Sequence, residues 1–170
     1  MKVVLVRHPA PLIAPGVCYG RRLDLATVPP GSMLSDPFLS GAQVVWSSPA
    51  RRCLGVAGPI AASLGVELRV DHRLQELDFG DWEGQPWSAI PRDDLDRWAA
   101  DPLAFAPPGG ESGAALIARV LSFQADLSED CVVVSHGGPL KVLGALLRGQ
   151  AVDLLTPPPA IGSITAIYPG

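Results

Sequence analysis

Short runs of apolar, mostly β-branched residues are the feature that most constrains the fold of this 170-residue chain. Val3-Val4-Leu5-Val6 and Val132-Val133-Val134 carry no polar residue at alternate positions. Continuous apolar strands are typical of parallel sheets covered on both faces, whose strands are joined by helical crossovers. These runs therefore predict an α/β fold.

The remaining pattern alternates between strands and helices. We predict strands at residues 2–6, 42–46, 66–70, 131–135 and 163–168. We predict helices at residues 49–64, 86–99, 112–127 and 137–147. The first helix has Ser48 as its N-cap, Pro49 at its first position and Gly65 after its end. The alternation predicts a three-layer sandwich, with a central, mostly parallel sheet flanked by helices, in a single domain over residues 1–170.

Two segments rich in proline and glycine interrupt this pattern. Residues 9–41 predict a long loop with one short helix near 32–39, and residues 101–112 predict a second loop. Loops of this length in a compact domain are usually functional.

Two of the three histidines follow the most apolar strands. His8 comes after the first strand and His136 after the fourth. Ligands of open α/β sheets bind outside the carboxyl ends of the strands. If the two strands are neighbours, both imidazoles face one crevice beside Arg7, and helices starting at Pro49 and Gly138 add backbone N–H groups there. This arrangement predicts a phosphoryl-transfer site.

Composition excludes several other classes of protein. A net charge of −4 argues against nucleic acid as the main partner. No apolar run approaches the roughly 18 residues of a membrane span. Cys18, Cys53 and Cys131 are odd in number and have no metal spacing, which favours reduced thiols, a cytoplasmic location and no metal or cofactor. A homodimer is a candidate assembly, and a small phosphorylated substrate is the expected partner.

Hydrolysis of a phosphomonoester is helped by a covalent intermediate. A neutral imidazole can attack phosphorus, and His8 is the best placed for this. Arg7, Arg52 and the second histidine, His136, would neutralise the phosphoryl oxygens in a loose transition state. Glu76 is the candidate acid that protonates the leaving oxygen.

Five sequence blocks, in this order, resemble the histidine phosphatase superfamily, which includes phosphoglycerate mutases and acid phosphatases. They are Arg7-His8-Pro9, Ser47-Ser48-Pro49-Ala50-Arg51-Arg52-Cys53, Leu74-Gln75-Glu76-Leu77-Asp78-Phe79-Gly80-Asp81-Trp82-Glu83-Gly84, Gly110-Glu111-Ser112 and Ser135-His136-Gly137-Gly138. The resemblance covers residues 1 to about 148.

The resemblance implies a role for each matched residue. His8 would be the phosphohistidine nucleophile and Glu76 the proton donor. Arg7, Arg52 and His136 would bind the phosphoryl group with the backbone amide of Gly137. No metal or cofactor is implied.

A further block bears on the substrate. Gly16-Val17-Cys18-Tyr19-Gly20-Arg21 resembles the α-ribazole phosphatase branch of the family, which acts in cobalamin assembly. Tyr19, Arg21 and Glu111 are the candidate substrate-side residues. Tyr19 is equally a packing residue by this pattern, and Glu111 also suits the start of the helix at 112–127.

The chain departs from the family pattern near the nucleophile. Pro9 stands where the family usually has Gly, which removes one backbone donor. Ala14 replaces a common Asn, and residues 22–41 lack the usual Leu-Thr-x-x-Gly-x-x-Gln-Ala. A phosphoglycerate-mutase-like activity, a phosphohistidine-protein phosphatase and a catalytically weak anion-binding module therefore remain as alternatives. Trp82, Trp87 and Trp98 are interpreted as packing residues, and Trp82 is also a candidate for the pocket wall.

Overall fold

A five-stranded sheet with the order β3-β2-β4-β1-β5 forms the centre of the computed structural model, which describes residues 1–170. The strands are β1 Val3–Arg7, β2 Val44–Ser47, β3 Glu67–Val70, β4 Cys131–Ser135 and β5 Ile164–Ile167. The first four run parallel, and β5 is antiparallel to β1. Arg7 pairs with Ser135, so β1 and β4 end at the same level and their following histidines are neighbours.

Helices cover both faces of the sheet, as predicted. They are α1 Arg51–Leu64, α2 Arg92–Ala100, α3 Gly113–Ala125 and α4 Gly137–Leu147. Successive strand residues point to opposite faces. Val4 and Val6 of β1 pack with α1, while Val3 and Leu5 pack with α3 and α4. Because both faces are covered, β1 and β4 need apolar residues at every position.

The start of α1 differs from the prediction. The helix begins at Arg51 and Ala50 is its N-cap, so the prediction of Ser48 as cap and Pro49 as first residue is wrong. The hydroxyl of Ser48 instead lies 2.8 Å from His136 and accepts the amide of Ala50 at 3.3 Å. The turn before α1 therefore presents Ser48 to the strand ends, and Pro49 does not open a helix there.

The helix predicted at 86–99 is divided. One 3₁₀ turn spans Trp87–Ala89, and α2 starts only after Pro91. The proline ring disfavours helical backbone at the residue before it, and Ile90 is accordingly extended. The short helix predicted near 32–39 is confirmed as two 3₁₀ turns, Gly31–Ser35 and Pro37–Leu39. None of the helices is long and apolar enough to cross a membrane.

Candidate active site

The carboxyl ends of β1 and β4 bring the two histidines together. The ring centroids of His8 and His136 lie 5.2 Å apart in an edge-to-face arrangement, and each residue is only 1% exposed. This is the crevice expected from the sequence. Burial places both imidazoles in surroundings of low dielectric constant, which strengthens the electrostatic interactions made there.

His8 is held as one tautomer by its own neighbour. Its Nδ1 lies 2.7 Å from the carbonyl oxygen of Pro9, an atom that can only accept, so Nδ1 carries the proton and Nε2 keeps its lone pair. Burial lowers the pKa of His8 from 6.5 to about 4, and the charges of Arg52 and Arg7 act in the same direction. His8 is thus neutral at pH 7, with Nε2 available as a nucleophile. Pro9 lacks an N–H group, but it retains the carbonyl that orients the ring.

His136 is anchored at both ring nitrogens. Nε of Arg52 donates to its Nδ1 at 3.1 Å, so the proton resides on Nε2, which donates to the hydroxyl of Ser48 at 2.8 Å. Burial, followed by the charge of Arg52, holds the pKa of His136 well below its usual value. A neutral imidazole in fixed orientation results.

Arg52 is the most deeply placed cation of the site, at 1% exposure. Besides His136 it donates to the carbonyls of Leu23 at 2.8 Å and Gly20 at 2.7 Å, and its guanidinium lies 5.5 Å from the ring centroid of Tyr19. Three of its five N–H donors are engaged in this way, and two remain for an anion. No carboxylate pairs with it, so its positive charge is not neutralised by the protein.

Arg7 and Gly137 supply two further donors without protein acceptors. One guanidinium nitrogen of Arg7 donates to the carbonyl of Pro159, but its buried Nε has no partner. The amide of Gly137, at the first position of α4, also donates to no protein acceptor. A Cβ on Gly137 would lie 3.1 Å from Cζ of Arg7 and 2.9 Å from Cβ of Pro158, so only glycine allows this close approach.

Glu76 is fixed by two backbone amides. Its Oε1 accepts from Leu77 at 2.8 Å and from Gly138 at 3.2 Å, and Oε2 lies 3.3 Å from the same Gly138 nitrogen. The carboxyl group lines two cavities that meet the crevice, with volumes of about 290 Å³ and 240 Å³. A ligand in either cavity would therefore lie beside this carboxyl group.

The larger of these two, here called the aromatic cavity, has a mostly apolar wall. Trp87 and Trp98 are stacked 6.2 Å apart and line it, whereas Trp82 is buried behind them. The suggestion that Trp82 forms the wall is therefore wrong, since its ring packs instead against Phe105. The other lining residues that concern the site are Arg7, Tyr19, Glu76, Phe79, Gly137, Gly138 and Lys141.

The three substrate-side candidates separate in the structure. Tyr19 lines the aromatic cavity, and Arg21 lines the smaller, polar cavity. Glu111 lines neither, because its carboxylate accepts from Arg119 at 2.7 Å and from Arg21 at 2.8 Å. The carboxylate is thus held between two arginines, while Ser112 caps α3, and the substrate-side role of Glu111 stays a prediction.

Two residues of the site were missed by sequence reasoning. Ser48 was interpreted only as a cap, although its position directly after β2 was a signal. Lys141 lies one helical turn after Gly137, on the same face of α4, and this spacing could have indicated its place in the cavity.

Comparison with known proteins identifies the class of protein to which this site belongs. The protein is a phosphatase, that is, a phosphoric monoester hydrolase. Residues 37–167 match the family model for the histidine phosphatase superfamily (branch 1). The chain belongs to that family, as its sequence blocks indicated.

Several relatives are phosphatases by name. A protein of Hydrogenobacter thermophilus provisionally named phosphoserine phosphatase 2 is 32% identical over 91% of this chain and 82% of its own length. This chain spans only 30% to 56% of the length of several other curated relatives. A mycobacterial glucosyl-3-phosphoglycerate phosphatase with VO3 superposes with a TM-score of 0.82 at 25% identity, covering 97% of this chain and 90% of its own. The α-ribazole phosphatase of Shigella flexneri gives 0.86 at 22% identity, covering 99% and 90%, and shares the fold.

Proposed function

We propose that this phosphatase works through a phosphohistidine formed on His8. The observation that carries the proposal is the bond from Nδ1 of His8 to the Pro9 carbonyl, which leaves a neutral, desolvated Nε2 at the end of β1. Such an imidazole is a competent nucleophile at pH 7 without a base to activate it.

The first half-reaction transfers the phosphoryl group to the enzyme. Nε2 of His8 bonds to phosphorus as the ester P–O bond breaks, and the departing oxygen takes a proton from Glu76. The unpaired donors of Arg7, Arg52 and the Gly137 amide stabilise the three phosphoryl oxygens, over which negative charge is spread in the transition state.

The second half-reaction returns the enzyme to its starting state. Glu76, now a carboxylate, removes a proton from water, and the resulting oxygen bonds to phosphorus as the bond to Nε2 breaks. Inorganic phosphate leaves, Glu76 is again protonated, and His8 is again neutral. His136 stays in place throughout, held by Arg52 and Ser48.

Two kinds of leaving alcohol are supported for the substrate. α-Ribazole 5′-phosphate, a metabolite of cobalamin assembly, carries a planar base that matches the aromatic wall and agrees with the Cys18-Tyr19-Gly20-Arg21 resemblance. Phosphoserine and glucosyl-3-phosphoglycerate, named for two relatives, carry a carboxylate instead. All three belong in one substrate panel, together with 3-phosphoglycerate to detect isomerisation.

The decisive test is to trap the intermediate. The enzyme is mixed with 4-nitrophenyl [³²P]phosphate and quenched in alkaline detergent, where phosphohistidine survives, whereas acid treatment releases it. Label on a peptide containing His8 is expected, with neither label nor turnover in His8→Ala. The third histidine, His72, is exposed and borders the smaller cavity, and His72→Ala should still give a labelled His8 peptide. Turnover that survives in His8→Ala would contradict the proposal, and an unlabelled, inactive wild type would favour an anion-binding module.

A further inference from the structure

Lys141 is a cation of the aromatic cavity that the phosphoryl-transfer steps do not use. It lies on α4, one turn beyond Gly137, and its half-buried side chain lines the cavity with Arg7 and Glu76. The chain has only one other lysine, Lys2, whose ammonium donates to surface carbonyls at the opposite end of β1.

The ammonium of Lys141 lacks a counter-ion. Its one hydrogen bond goes to the carbonyl of Leu154 at 2.7 Å, and no carboxylate lies within 4.0 Å of it. Asp153 and Glu76 attract the charge from further away, and Arg7 repels it. Burial is the largest influence and lowers the pKa of Lys141. Two of its three N–H donors are therefore left for a ligand.

An unpaired cation beside an apolar wall is costly unless something in the cavity compensates for it. The phosphoryl group already has Arg7, Arg52 and the Gly137 amide as donors. In the aromatic cavity Lys141 has Leu154 and Pro158 as apolar neighbours, and on its other side it borders a separate polar cavity of about 440 Å³ lined by Asp153 and Thr156. On the side of the aromatic cavity, the partner open to the ammonium is an acceptor on the alcohol portion of the substrate.

We infer that Lys141 binds an acidic group, such as a carboxylate, carried by the leaving alcohol, and so selects acid-bearing phosphomonoesters. The inference rests on the proposed function, since it places the alcohol in the aromatic cavity. Within the substrate panel it favours phosphoserine and phosphoglycerate derivatives over α-ribazole 5′-phosphate, which has no carboxylate.

A pair of synthetic esters isolates this contact. 4-Carboxyphenyl phosphate and 4-carbamoylphenyl phosphate have the same shape, and only the first carries the anion. Lys141→Met should lower kcat/KM for the carboxy ester by about tenfold or more, as expected for a charge-assisted hydrogen bond, and much less for the carbamoyl ester. Lys141→Arg should restore much of the loss. Lys2→Met is the matched control and should leave both values at the wild-type level.

Equal losses on both esters would overturn the inference and would place Lys141 with the phosphoryl group instead. No loss on either ester would overturn it as well. Measuring each variant relative to wild type cancels the intrinsic difference in reactivity between the two phenols. Thermal unfolding of each variant shows whether the fold is kept.

A second measurement does not depend on turnover or on a variant of Lys141. With lysine labelled at ¹³Cε, the wild-type chain gives two signals, one for each lysine, and Lys2→Met identifies them. The non-hydrolysable 4-carboxybenzylphosphonate should raise the pKa of Lys141, while the carbamoyl analogue should raise it less. Equal responses would overturn the inference. If wild type hydrolyses neither ester but this pKa still rises, the proposed function fails while the Lys141 site stands.

Discussion

The backbone amide of Gly138 lies 3.2 Å from Oε1 and 3.3 Å from Oε2 of Glu76, although 62 residues separate them in the chain. The start of α4 thus follows His136 directly and also positions the proposed acid. One helix terminus therefore couples the proton donor to the two strand-end histidines.

Gly138→Ala should remove this coupling. A Cβ at position 138 would overlap Oε1 of Glu76, so the carboxyl group must move away from the leaving oxygen. Steady-state kinetics with an alkyl phosphate should show a loss of about 10²-fold in kcat/KM, at the lower end of what general-acid catalysis contributes. Gly58→Ala, in α1 with open space around it, is the matched control and should keep full activity. Normal activity in Gly138→Ala would show that the contact is unimportant.

Glu76→Gln tests the proton donor through the leaving group. The nitrophenolate of 4-nitrophenyl phosphate is a good leaving group that departs without a proton. The alkoxide of an alkyl phosphate is a poor one and needs to be protonated as it departs. We expect the first half-reaction of the variant to be nearly normal with 4-nitrophenyl phosphate and slower by about 10²-fold or more with an alkyl phosphate. Rapid-quench measurement of phosphoenzyme formation checks this. The same loss with both esters would argue against an acid role for Glu76.

Stability should fall as the pH is lowered from about 6.5 towards 4. Burial lowers the pKa of His8 to about 4 and that of His136 well below its usual value, so the unfolded chain binds more protons than the folded one in this range. Each histidine then contributes a slope of up to about 1.4 kcal/mol per pH unit, and the contribution is complete above the unfolded pKa of about 6.5.

Urea unfolding between pH 4.5 and 7.5 measures this slope. His136→Asn should reduce it relative to wild type, because the lowered pKa of His136 is then lost. The comparison removes the contribution of carboxylates, which is common to both proteins. Over the same range, protonation of His8 should lower kcat/KM only as the pH approaches 4.

Glu111→Gln should affect stability more than catalysis. The Glu111 carboxylate is 10% exposed and joins Arg119 of α3 to Arg21 of the first loop. Removing its charge leaves two partly buried cations unpaired, which should cost about 2–3 kcal/mol in the free energy of unfolding. Glu67→Gln is the control, since its pair with Arg69 is well exposed and should be worth less than about 1 kcal/mol. A loss of kcat/KM without loss of stability would support the substrate-side role of Glu111 instead.

Local sequence was sufficient for the strands and for a histidine directly after two of them, and the sheet order made those strands neighbours. The runs before His8 and His136 are too apolar for any environment except a sheet covered on both faces, and parallel strands end at one edge. The positions of those two residues were therefore determined by the chain itself. The matching blocks likewise identified Arg7, Arg52 and Glu76, which the structure brings to the same crevice or its adjoining cavities.

Only the tertiary structure decided the contacts between distant segments. The pairing of Glu111 with Arg21 joins residues 101–112 to residues 9–41, whereas the contact of Gly138 with Glu76 and that of Lys141 with Leu154 join α4 to other parts of the chain. Such contacts join side chains far apart in sequence, and no local periodicity encodes them. The strand patterns thus specified where the two histidines of the site lie. Tertiary packing determined which N–H donors bond to other protein groups and which remain free for a substrate.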